Sequence, residues 1–277
     1  VLFRSKKVDS ILDADFIFTN VSRCDISSSF VNKYYNCIPN IDFICEKHKL
    51  SELLKNKPYG IRTTLLHKFI PLQVYSWNCD FLICKPINSS CGRGIFLRPF
   101  QEMIEILKQT RFTNYIIQEY IDTKLYEGRK FDIRLYVFID SNKNFSISDH
   151  GFLRLAPKKY STKTSDLLVH LTNTSISKEK AEIIPFDTWS EKYIYKEAIH
   201  DVISDLIHTL QLFPYPLKNG FQLLGFDILI DLQNKIRIIE INKRPSLKFI
   251  NNTSEHIKKN MFLDFFEFMK KIKSSSM

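Results

Sequence analysis

Two apolar runs near the end of the chain, residues 221–232 and 235–242, are separated by only two polar residues, so they can pack only as an antiparallel hairpin. If the turn is symmetric, Asp227 faces Glu240 on one side of the ribbon. Directly opposed residues hold their Cβ atoms about 4.5–5.5 Å apart. Two carboxylates that close repel each other unless a cation or a proton lies between them. Asn242, two residues further on, shares the face and adds a neutral oxygen. Asp, Glu and Asn with no His or Cys nearby suit a hard cation, and Mg²⁺ held by one or two carboxylates while bridging phosphates is the usual form. The alternative is a solvated sheet edge with unpaired acids, which the apolar flank of Leu223, Leu224, Ile238 and Ile239 makes less favourable.

Further strand signals fall at 14–19, 81–85, 95–97, 115–120 and 132–139, with one or two more strands between 145 and 155. Helical spacing recurs at 47–54, 101–110 and 254–273, and at 191–213, which is expected to be the longest helix with Ile194, Ala198, Val202, Leu206 and Leu210 inward. Residues 59–71 carry no period and read as a linker, and the polar stretch 158–180 reads as a mobile loop. Strands outnumber helices and several are joined by short turns. The expected class is therefore α+β with largely antiparallel sheets.

A magnesium-phosphate site needs cations and backbone donors. The loop from Lys85 to Ile95 follows an apolar strand and concentrates Gly92 and Gly94, two of only seven glycines, with Arg93 between them. Such a loop can bring N–H groups to phosphate oxygens while Lys85 and Arg93 supply charge. It is not a Walker loop, and taken alone it fits a plain turn equally well. In 132–139, Asp132, Arg134 and Tyr136 alternate with Ile133, Leu135 and Val137, so Lys130, Asp132 and Arg134 share a face, with Arg154 on the next strand. Burying these cations together demands anions. His170 reads as a hydrogen-bonded core residue.

Taken in order, KP…SSCGRGI (85–95), IIQEYI (116–121), RKFDIRLYVFI (129–139), GFLRLA (151–156), HLTN (170–173), FQLLGFDILID (221–231), and IIEIN with PSL (238–247) resemble the tubulin tyrosine ligase-like family of ATP-grasp ligases. The resemblance runs from about residue 31 to 247. It implies an ATP-grasp fold of three lobes, 1–46, 47–121 and 122–277, with ATP between the second and third and the metal site in the third. By position Lys47 and Lys85 resemble the phosphate lysines, with Arg93 and Gly94 in the glycine loop. Gln118, Glu119, Tyr120 and Ile121 resemble the hinge that reads adenine. Asp227, Glu240 and Asn242 resemble the Mg²⁺ ligands, and Lys130, Arg134 and Arg154, with Thr172 and Asn173, the groups that engage the γ-phosphate, the acyl-phosphate and the carboxylates being joined.

The implied reaction is ATP-dependent amide formation between the acidic C-terminal tail of tubulin and a free amino acid. Glutamate ranks ahead of tyrosine, because the GRGI loop resembles the glutamate-adding branch and Arg154, Lys243 and Arg244 could hold a second carboxylate. HLTN and FQLLGFD resemble the tyrosine-adding branch as well. The resemblance further implies a cytoplasmic, cytoskeleton-associated protein, cilia and flagella included. Three departures stand out: Lys243-Arg244 in place of small residues, a short N-terminal lobe, and no basic extension after the last helix.

Composition bounds the rest. Length 277 allows one large domain or two to three small lobes, and 44% hydrophobic residues exclude global disorder. No apolar run approaches the roughly 18–20 residues of a membrane span, so the chain reads as soluble with no membrane partner. An opening Val implies that the sequence starts inside a longer product. Six cysteines without a CxxC pair read as reduced, cytosolic thiols. A net charge of +10 suits an acidic partner, whether nucleic acid, anionic lipid or a protein tail. Nucleic acid is disfavoured by the absence of any RRM, KH or helix-turn-helix signature. A binder of acidic tails that has lost turnover is the other non-enzymatic reading.

Overall fold

The computed structural model describes residues 16–17, 34–38, 40–66, 70–89, 92–110, 112–173, 182–210, 219–249 and 251–275. A parallel pair, β1 (Phe16–Ile17) and β2 (Tyr34–Tyr35), precedes the short helices α1 (Asp42–Cys45) and α2 (Lys47–Leu54). The smaller of two main sheets contains β3 (Thr63–Leu66), β4 (Phe81–Pro86), β5 (Phe96–Pro99) and β6 (Tyr115–Glu119) in the order β3-β6-β4-β5, with α3 (Phe100–Gln109) in the β5–β6 connection. Met103, Ile104 and Leu107 of α3 pack with Leu82, Cys84 and Ile117 of that sheet. The expected linker at 59–71 thus contains β3, which pairs antiparallel with β6. Its period is invisible because of its four residues only Leu66 is buried.

The larger sheet has seven strands: β7 (Leu125–Tyr126), β8 (Arg129–Asp140), β9 (Phe145–Ile147), β10 (Phe152–Leu155), β11 (Ile183–Pro185), β12 (Phe221–Ile230) and β13 (Ile236–Asn242). Its main path is β11-β10-β8-β12-β13, with β7 and β9 also on β8. Every pairing in both main sheets is antiparallel, as the α+β expectation requires. Helices α4 (Leu167–His170), α5 (Lys192–Thr209) and α6 (Asn252–Ser275) complete the order.

Strand β8 is buried along nearly all its length because both of its faces are covered. Phe131, Ile133, Leu135, Val137 and Ile139 join Ile199, Ile203 and Leu206 of α5 in the main core. On the opposite face Tyr136 and Phe138 meet Met261, Phe265 and Met269 of α6. The same face continues toward the start of β8 as Arg134, Asp132 and Lys130. One face of this strand is therefore apolar over one half and charged over the other.

Two helix expectations are corrected. The longest described helix is α6, with 24 residues against 18 in α5. The buried stripe of α5 runs through Tyr195, Ile199, Ile203, Leu206 and Ile207, and Ile194 is 69% exposed. The stripe that wins carries the larger side chains and joins the expected one at the C-terminal end, where Leu206 and Leu210 are both buried. The polar stretch 158–180 contains α4, capped by Asp166 Oδ1 accepting from the Leu168 N–H at 3.0 Å, and its residues 174–180 lie outside those described. The expected strand 14–19 is described only as β1. Cys45, Cys79 and Cys84 are free thiols, whereas Cys37 is disulfide-bonded. This corrects the expectation that all six are reduced, since a pairing created by the fold leaves no spacing motif in the sequence.

Candidate active site

The hairpin β12–β13 brings Asp227 and Glu240 directly opposite each other, and Asn242 opposite Gly225. Its turn takes three residues, 232–234, one more than the two that separate the apolar runs. The Asp231 N–H donates to the Lys235 carbonyl at 3.0 Å, and Asn234 takes a left-handed φ of 63°. A bulge between Asp227 and Ile228 then moves the register by one, which restores the acid pair. The Asn242 Nδ2 lies 3.5 Å from Asp227 Oδ2 and 3.4 Å from Glu240 Oε1, so the amide bridges both acids. Turning that amide over would present its oxygen in the same place. The donor set is two carboxylates and an amide, since no group of three His, Cys, Asp or Glu converges among the described residues.

Asp227 is buried and paired. Arg134 makes two bonds to it, one of them Nη2 to Oδ2 at 2.8 Å, and Arg154 Nη2 lies 2.8 Å from the same Oδ2. Arg154 also donates from Nε to Asp132 Oδ1 at 2.8 Å and from Nη2 to Oδ2. The clustered cations are therefore compensated largely within the sheet, by Asp132 and Asp227. Burial works to raise the Asp227 pKa, but Arg134 and Arg154 outweigh it and hold the carboxyl well below the ordinary range. Glu240 goes the other way: burial and then the Asp227 charge push its pKa up.

Lys130, from the same face, donates to the Ile121 carbonyl at 2.9 Å and sits 3.6 Å above the Tyr120 ring centre. Burial lowers its pKa to about 7. Lys85, at the end of β4, donates to Gln118 Oε1 at 2.6 Å, and burial lowers its pKa to about 8. Lys47 at the start of α2 donates to the Ser89 carbonyl at 2.7 Å, tying the helix to the glycine loop. Gly94 has φ +72°, and a Cβ there would lie 2.8 Å from Pro86 Cγ, so the turn demands glycine.

The hinge residues are anchored individually. Arg62 donates from its main-chain N to Glu119 Oε1 at 3.0 Å and from Nε to Oε2 at 2.6 Å. The N–H groups of Glu119 and Tyr120 are used in sheet-edge bonds to the Arg62 and Phe81 carbonyls. His170 Nε2 lies 2.6 Å from the Thr164 carbonyl, which can only accept, so Nε2 carries the proton and Nδ1 accepts from the Tyr120 hydroxyl at 2.8 Å. This is the hydrogen-bonded core histidine expected, and burial lowers its pKa.

One cleft between the two main sheets, about 850 Å³ with the solvent at its mouth, collects most of these groups. Lys47, Lys85, Arg93, Gln118, Glu119, Tyr120, Ile121, Lys130, Arg154, Asn173, Asp227 and Glu240 line it. Gly94, Arg134 and Asn242 do not: Gly94 shapes the turn, Arg134 backs Asp227, and Asn242 sits beside the acid pair. Ile83, Ile95, Leu229 and Ile239 supply apolar walls. Sequence reasoning missed Arg62 and Thr63, which hold Glu119 and Gln118. The only signal was the pair of polar residues opening the short run 62–66.

The model of the tubulin-tyrosine ligase family matches residues 61–185 and 187–276, well over half of the chain. Probable tubulin polyglutamylase ttll-9 of Caenorhabditis elegans is 30% identical over 61% of this chain and 47% of its own length. Probable tubulin polyglutamylase TTLL2 of Mus musculus is 31% identical over 69% and 39%. Probable tubulin–tyrosine ligase PBY1 of Saccharomyces cerevisiae is 30% identical over 56% and 24%. The chain thus spans less than half the length of these relatives. It belongs to the tubulin-tyrosine ligase family.

Proposed function

We propose that this member of the tubulin-tyrosine ligase family is an ATP-dependent amino-acid ligase that forms an amide on acidic tubulin tails, with glutamate as the amino acid added. The observation that carries the reading is the Asp227–Glu240 pair, opposed at a cleft that also receives Lys47, Lys85 and Lys130. Two acids, an amide and converging cations fit a divalent ion with phosphates. Asp227, Glu240 and Asn242 would hold Mg²⁺, which when bound would supply charge neutralisation to phosphate. The raised pKa of Glu240 supports this, because the group lacks a guanidinium partner and a cation would restore its charge.

A tail carboxylate would attack the γ-phosphorus of ATP, forming an acyl-phosphate and releasing ADP. The amine of the incoming amino acid would then attack the acyl carbon, expelling phosphate and losing a proton. No protein nucleophile is needed, and positioning with charge neutralisation supplies the rate. Lys85 and Lys47 would hold phosphate oxygens, and Lys130 and Arg154 would stabilise charge on the transferring group. Arg134 keeps Asp227 ionised and aimed. Asn173 and Thr172, which line the cleft, would meet the carboxylates being joined. The lobes 1–46, 47–121 and 122–277 and a cytoskeletal location belong to the same proposal.

Relatives named as polyglutamylases support glutamate, while the relative named as a tyrosine ligase keeps tyrosine as the second reading. The test incubates the protein with tubulin, Mg-ATP and each labelled amino acid. Incorporation of glutamate bears out the reading, incorporation of tyrosine alone replaces it, and tail binding without ATP turnover leaves a non-catalytic binder.

A further inference from the structure

Thr63 and Gln118 are direct cross-strand partners on β3 and β6. Gln118 also faces Ile83 of β4, two residues before Lys85, so Thr63, Gln118 and Lys85 emerge on one face of the sheet. Thr63 Oγ1 donates its single hydrogen to the Ile61 carbonyl at 2.9 Å. Toward Gln118 the hydroxyl is left as an acceptor, and Gln118 Nε2 donates to it at 2.7 Å. A carboxamide has one donating and one accepting end, so the accepting end turns to Lys85, whose Nζ lies 2.6 Å from Oε1.

We propose that Thr63 is a positioning residue for Lys85, fixing through the Gln118 amide the acceptor that aims the lysine ammonium into the cleft. The inference rests on Lys85 as a nucleotide-phosphate cation. If the amide turned over, its N–H₂ would face an ammonium that can only donate. Gln118 and Lys85 are 7% and 8% exposed, so water cannot readily supply the missing acceptor. Direction thus passes down the chain Ile61 carbonyl, Thr63 hydroxyl, Gln118 amide, Lys85 ammonium, with each link leaving the next one choice.

The test compares the full chain with Thr63→Val, which keeps the shape and removes the acceptor, and Thr63→Ser, which keeps the hydroxyl. The first readout needs no nucleotide: the Gln118 side-chain amide signal in a nitrogen–proton correlation spectrum and its exchange with water. Thr63→Val is expected to shift the signal and speed exchange, and Thr63→Ser to restore both. The second readout is Mg-ATP affinity, expected to fall about tenfold in Thr63→Val, equivalent to about 1.4 kcal/mol, and to stay within about twofold of the parent in Thr63→Ser. An unchanged Gln118 signal in Thr63→Val, or a serine variant as weak as the valine one, overturns the relay. A Gln118 signal that responds as expected in a protein that binds no Mg-ATP overturns the nucleotide reading and leaves the relay standing.

Discussion

Asp227 and Glu240 face each other across the last two strands of the larger sheet, yet their charges are handled in opposite ways. Asp227 is clasped by Arg134 and Arg154, and its pKa is held well down against burial. Glu240 has Lys47 and Lys85 in range, but burial and Asp227 prevail and push its pKa up. One acid is neutralised by the protein. The other is compensated only in part, by Lys47 and Lys85.

Replacing each acid by its amide should therefore separate catalysis from stability. Glu240→Gln removes a repelled charge and is expected to leave the melting temperature unchanged or raised while abolishing Mg-dependent ATP turnover. Asp227→Asn strands two guanidinium groups and is expected to cost about 3–5 kcal/mol in denaturant unfolding, as broken buried pairs do. Equal destabilisation by the two would contradict the asymmetry.

The acid pair was legible in the sequence for a reason that is partly fortuitous. A symmetric turn places Asp227 opposite Glu240, and so does the structure. Between them, however, the turn takes one residue more than the two expected, and the bulge beside Asp227 corrects the count. Bulges and αL turns respond to local backbone strain and leave only weak marks such as Asn234. The alternation in 132–139 was readable because β8 sorts its faces without interruption. Thr63 was not, since β3 is short and mostly half-exposed. The buried stripe of α5 was misjudged because two apolar stripes compete on one helix and only packing chooses.

Nucleotide binding should draw protons into the site. Lys130 and Lys85, with pKa values lowered by burial to about 7 and about 8, are substantially neutral at mildly alkaline pH, and phosphate oxygens would favour their charged forms. Calorimetry of Mg-ATP binding near pH 8.5, a pH chosen about half a unit above the higher value, is expected to give a buffer-dependent enthalpy with net proton uptake. Lys130→Met should reduce that uptake.

The same lysine should tilt the stability curve. Its folded pKa of about 7 lies below the unfolded value of about 10.4, so between these limits the unfolded chain binds more protons and stability rises with pH. The unfolding free energy of Lys130→Met, compared with the parent across pH 6 to 10, an interval of about four units around those values, is expected to show a flatter rise. Parallel curves would mean that Lys130 is not desolvated as described.

The centre of β8 should be the most sensitive part of the scaffold. Leu135 is fully buried in the core that β8 shares with α5, and Leu135→Ala is expected to cost about 2–5 kcal/mol by denaturant titration. Leu232→Ala, at a turn where the side chain is 58% exposed, should fall within about 0.5 kcal/mol of the parent.

The central claim is that Glu240 and Asp227 share a divalent ion with nucleotide phosphates. Its most direct measurement is a crystal structure of the full chain with Mn²⁺ and a non-hydrolysable ATP analogue, located by manganese anomalous scattering. The account predicts a single strong peak between the two carboxylates and in contact with the phosphate oxygens. Nucleotide bound in the cleft with no manganese between Asp227 and Glu240 would contradict it.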